Sequence, residues 1–127
     1  MKQLSQSKIA VMLSWLGIAL HIYTIAFKTE GAVNMFLVGL FFWSCLPYFV
    51  TALLALFAVT RVVALGAATA AVVADGVTHY LVFVAPQGST AALGLLWAPL
   101  WNLMAFGPIG ALLAYIFHRL ASKAHAL

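Results

Sequence analysis

The chain has 127 residues, 66% hydrophobic and 6% charged, with a net charge of +4. A soluble domain carries about 25% charged residues, so this balance excludes a soluble globular protein and a disordered one. A membrane span takes about 20 apolar residues, which leaves room for four spans in a single domain over residues 1–127 and for no soluble catalytic domain.

The six basic residues are scattered at the ends of apolar segments. They form no clustered cationic face, so no nucleic-acid partner is expected. Cys45 is the single cysteine. It can form neither an internal disulfide nor a Cys-rich metal site, and inside an apolar segment it behaves as a small hydrophobe.

In chain order, MKQLSQSK is a short polar start before the first apolar run, residues 9–27. That run is longer than a signal-peptide core and no small-x-small cleavage site follows it, so it reads as an uncleaved first helix. Lys28, Thr29, Glu30 and Gly31 form a turn. The second span is expected over residues 33–59, with Pro47 a kink that membrane helices tolerate. Thr60 and Arg61 make a very short connection to a third span, residues 62–84. After Pro86, Gln87 and Gly88, Ser89 or Thr90 is placed to cap the fourth span, residues 91–117. Pro99, Gly107, Pro108 and Gly110 predict that this last helix is bent or locally unwound. Short loops make sequential helices antiparallel neighbours. The expected fold is all-α, four transmembrane helices in an up-down bundle. Lys2, Lys8, Arg61, Arg119 and Lys123 fall at one end and Lys28 at the other, so the positive-inside rule puts both termini in the cytoplasm. The compact design suggests a bacterial inner membrane.

Polar residues recur at one depth. At about 1.5 Å rise per residue, His21 falls roughly 5 Å, and Asp75 and Asn102 roughly 4 Å, outside the midpoints of their spans, with Ser44 near its own. His79 is one turn beyond Asp75. On span one, Ser14, Gly17, His21, Thr24 and Lys28 form a stripe of small and polar residues. On span three, Ala67, Ala71, Asp75 and His79 share one face, and Gly66, Ala70 and Ala74 form a second row of small residues. Span three is therefore expected to be the most enclosed. Ser44, Tyr48 and Thr51 share a face of span two, and Ala98, Asn102 and Ala105 one of span four. An unpaired acid in hydrocarbon costs several kcal/mol, roughly, so Asp75 is expected to meet His21, His79, Asn102 and Tyr48.

Three functions suit such a layer. It can fix the register of helices in a non-enzymatic accessory or oligomeric component, whose partners are the lipid bilayer and other membrane subunits or copies of itself. It can serve proton- or cation-linked transport or a channel, in an oligomer, since a four-helix bundle fills its own centre. It can bind a divalent metal through His21, Asp75 and His79, or a b-type haem between His21 and His79. Ser44, His21 and Asp75 are the types of a hydrolytic triad, but no Gly-x-Ser-x-Gly elbow accompanies them. Trp97 and Trp101, one turn apart, read as packing or interface anchors, Trp15 and Tyr115 as belt residues, and Trp43 as a packing residue. His118 and His125 read as water- or headgroup-facing. The reading that needs the fewest further residues is the accessory component.

Overall fold

In the computed structural model of the chain, residues 2–28, 32, 34–57, 59–86, 88 and 93–124 are described, with residues 2–4 described for backbone only. All regular structure among them is helical. The helices are α1 (Lys2–Phe27), α2 (Met35–Leu56), α3 (Arg61–Phe83), α4 (Leu93–Trp101) and α5 (Gly107–Ala124), with a π-helical turn (Asn102–Phe106) joining the last two into one rod. Four stretches are long and apolar enough to cross a membrane: Ser5–Phe27, Met35–Leu56, Arg61–Phe83 and Leu93–Ala124. They form the expected up-down bundle.

The element ends depart from expectation for local reasons. The polar start is helical from Lys2, because residues 2–8 contain neither Gly nor Pro to stop it. Asn34 caps α2, its side chain accepting from Leu37 N at 2.9 Å. That helix ends three residues early, at Leu56, with Phe57 in extended backbone. The Thr60 hydroxyl donates at 2.5 Å to the Leu54 carbonyl, which also accepts from Phe57 N. Thr60 is also the N-cap of α3, but its hydroxyl is spent on Leu54 and makes no cap bond. The fourth rod runs on to Ala124, with Lys123 in its last turn, where a cation complements the helix dipole. The proposed turn residues Thr29, Glu30 and Gly31, the cap candidates Ser89 and Thr90, and His125 lie outside the described residues.

Helix α3 is central. It packs against α1, α2, α4 and α5, whereas α1 packs on α2 and α3. Its buried face is Ala64, Ala67, Ala68, Ala71, Asp75 and His79, which contains the row Ala67, Ala71, Asp75 and His79 anticipated from spacing. By share of span buried, α3 equals α1 at 33% rather than exceeding it. Its second row meets α5 so closely that a Cβ on Gly66 would overlap the Gly110 carbonyl, and a Cβ on Gly110 that of Gly66. Small residues here let two backbones touch. Below the polar layer, toward the chain termini, an apolar plug of Ala10, Ala55 and Ala64 closes the bundle.

Candidate functional site

Asp75 is 1% exposed and stands where the four spans meet. Its carboxylate accepts from each of the other three. The Tyr48 hydroxyl on α2 donates to Oδ2 at 2.6 Å. Nε2 of His21 on α1 donates to the same oxygen at 3.0 Å. Nδ2 of Asn102, at the head of the π turn, donates to Oδ1 at 2.7 Å. The sequence pattern places these groups together. Gly17 is what lets Tyr48 arrive, since a Cβ there would overlap the Tyr48 ring. The ring packs with Ile18, Cys45 and Ala71. The π turn presents Asn102 in turn. Its carbonyl accepts from Gly107 N, five residues on, and Pro108 has no N–H with which to continue the ordinary ladder. This is the predicted local unwinding, in the form of a bulge rather than a break. The Asn102 Oδ1 is buried without a hydrogen-bond partner.

His79 belongs to a second set. Its Nδ1 lies 2.8 Å from the Asp75 backbone carbonyl, which only accepts, so Nδ1 carries a proton. Its Nε2 lies 2.8 Å from Thr24 Oγ1. That hydroxyl is also 2.9 Å from the Leu20 carbonyl. Thr24 has one proton to give. If it goes to Nε2, His79 is neutral. If it goes to Leu20, the bond to Thr24 requires a proton on Nε2 and His79 is cationic. Both charge states of His79 thus have a hydrogen-bonded arrangement ready, differing by one hydroxyl rotation.

The sequence-predicted layer is therefore assembled in two adjoining pieces. Asp75, Tyr48, His21 and Asn102 form one, and His79 with Thr24 the other, with the His21 and His79 rings 5.4 Å apart. Ser44 is buried at the same depth but bonds to none of them. It makes no hydrogen bond to His21, so the Ser44, His21 and Asp75 set is not wired as a triad. Thr24 was legible only as a member of the α1 stripe; its bond to His79 depends on how α1 and α3 cross. A lower pair, Ser14 and Thr51, with hydroxyls 2.9 Å apart, ties α1 to α2. Trp43 does more than pack: its indole N–H donates to the Leu96 carbonyl at 2.9 Å, on the turn disturbed by Pro99. Trp97 and Trp101 are more than half exposed and line a cleft of about 410 Å³ between α3 and α4.

The donor geometry bears on metal and haem. Among the described residues no three His, Cys, Asp or Glu side chains converge on a metal position. Both His79 nitrogens face protein oxygens, so its lone pair is not directed at the Asp75 carboxylate. The space beside His21 and Thr24 is about 20 Å³, far too small for a macrocycle. No protein-family model, no curated protein and no solved structure matches this chain.

Proposed function

We propose that this chain is a non-enzymatic integral membrane component, an accessory subunit or homo-oligomer, in which Asp75 locks the register of the bundle. One observation carries the reading: a single buried carboxylate takes one donor from each of the other three spans. Such contacts are directional, and in membranes they average only about 0.6 kcal/mol each, so their value lies in specifying one arrangement. The assembly half of the reading is supported by the fourth span. Only 11% of it is buried, against 28–33% for the others, so it leaves the broadest face for a partner or a second copy. The basic residues support an orientation with both termini cytoplasmic, and the compact bare-helix design supports a bacterial inner membrane. Native mass spectrometry of the protein extracted in mild detergent tests the assembly. A whole-number multiple of the chain, or added protein mass, is expected; a bare monomer refutes it.

A second reading, proton- or cation-linked transport in an oligomer, is favoured by the two imidazoles 5.4 Å apart beside Asp75 and by the two arrangements open to His79. Asp75→Asn discriminates. A locking role tolerates the amide in the native membrane, whereas a proton-linked role loses activity while assembly persists.

A further inference from the structure

Two buried groups at the layer lack the partners their chemistry calls for. Ser44 is a buried residue, 5% exposed, whose hydroxyl has no hydrogen-bond partner among the described residues. His21 is 6% exposed and uses Nε2 on Asp75, while its Nδ1 has no protein partner among them. Buried polar groups in folded proteins are paired, with protein or with ordered water. Between these two lies a small cavity of about 20 Å³, lined by His21, Thr24 and Ser44 on its polar side and by Ile25, Leu40, Phe41 and Leu95 on its apolar side. A water needs roughly 10–15 Å³ of such volume and two to four polar partners. The cavity fits one water and little else.

We propose that this cavity binds one ordered water, held by Ser44 Oγ, His21 Nδ1 and Thr24 Oγ1, and that this water joins the two hydrogen-bond sets into a proton relay from His79 to His21. The relay rests on the proton-linked reading above. A cationic His79 gives its Nε2 proton to Thr24 Oγ1, as Thr24, its hydroxyl turned from the Leu20 carbonyl to the water, gives its own proton to that water. The water gives one of its protons to His21 Nδ1. Each O–H or N–H bond broken is matched by one formed, and the Thr24 hydroxyl and the water are regenerated. The positive charge moves from His79 to His21, whose Nε2 stands 3.0 Å from the Asp75 carboxylate. The titratable groups around His21 are Asp75 and His79 on α3 and Tyr48 on α2, with Cys45 packed on Tyr48. The α4 side offers only Leu95 to the cavity. Beyond Asp75, the Tyr48 ring with Ile18, Cys45 and Ala71, and then the alanine plug, give no further hydroxyl or imidazole contact with the carboxylate. Among the described residues the relay runs from His79 through Thr24 to His21 and delivers its proton beside the Asp75 carboxylate.

The test is nitrogen-15 imidazole NMR on the full chain in lipid nanodiscs, with His118 and His125 substituted to simplify the spectrum. The expected result is magnetisation transfer from water to the His21 ring, and a proton appearing on His21 Nδ1 as the pH is lowered. Both should be lost in Ser44→Val, which removes a partner and fills the cavity, and in Leu95→Phe, which fills it from α4 without touching any polar group. His21 showing no water contact in the unaltered protein overturns the proposal. So does Nδ1 protonation that is unchanged in a folded cavity-filling variant. These readouts need no transport activity, so full activity retained by Asp75→Asn would refute the transport reading and leave this result standing on its own.

Discussion

The contrast between Asp75→Ala and Asp75→Asn probes the centre of the bundle. Alanine leaves three buried donors without an acceptor: the Tyr48 hydroxyl, His21 Nε2 and Asn102 Nδ2. An unsatisfied buried donor costs about 1–3 kcal/mol in a soluble protein. In membranes the measured contacts are smaller, with a maximum near 1.7 kcal/mol, because the unfolded reference also finds partners. The expected loss for alanine is therefore roughly 2–5 kcal/mol. Asparagine behaves differently for a reason specific to this site. Its amide oxygen can replace Oδ2 and keep Tyr48 and His21. Its NH₂ then faces Asn102, whose own Oδ1 lacks a partner. A flip of the Asn102 amide turns that orphaned oxygen into the acceptor, so the substitution should cost under about 1 kcal/mol. Equilibrium unfolding in mixed micelles, followed by tryptophan fluorescence, measures both. Equal destabilisation by Asn and Ala would refute the amide-flip argument. A neutral alanine would refute the lock itself.

Further outcomes follow from the same geometry. Gly17→Ala puts a methyl where the Tyr48 ring lies, and overpacking of this kind should cost about 1–3 kcal/mol in the same unfolding assay. Gly17→Ala should be relieved in part by Tyr48→Phe only if loss of the Asp75 bond, rather than ring overlap, dominates; no relief is expected. Gly66→Leu should separate α3 from α5 and lower stability more than Gly39→Leu, since a Cβ on Gly39 meets nothing; equal effects would deny the close crossing. Trp43→Phe removes one hydrogen bond to Leu96 and should cost about 0.6 kcal/mol, read by the same transition.

The helices and the depth of the polar layer could be read from apolar run length and a constant rise per residue, because a membrane fixes both. The convergence of His21, Tyr48, Asp75 and Asn102 followed from the cost of a lone buried acid. The partition of that layer was not readable. Spacing puts Asp75 and His79 on one face of α3, but a side chain's partners depend on the crossing of other helices. That crossing sends His79 to Thr24 and leaves Ser44 beside a cavity. The early end of α2 was hidden too, since Phe57, Ala58 and Val59 are as apolar as a span, and only the Thr60 hydroxyl reaching Leu54 marks the exit. The indole bond of Trp43 depends on where the packing of α2 on α4 sets the Leu96 carbonyl, which no local pattern in α2 records.

The π turn also settles a problem of angles. Asn102 must face Asp75, and Gly110, eight residues later, must face Gly66 on the same helix α3. At about 100° per residue, eight steps of an ordinary α-helix rotate through two turns and a further 80° or so, which would aim one of the two away from α3. A π turn takes up one extra residue, so the rotation falls to about 700°, within roughly 20° of two full turns. The bulge thus acts as a phase correction, bringing a polar contact and a backbone contact onto one line. Deleting a single residue from 103–106 would turn the bulge into plain helix and keep that phase, whereas inserting one would lose it.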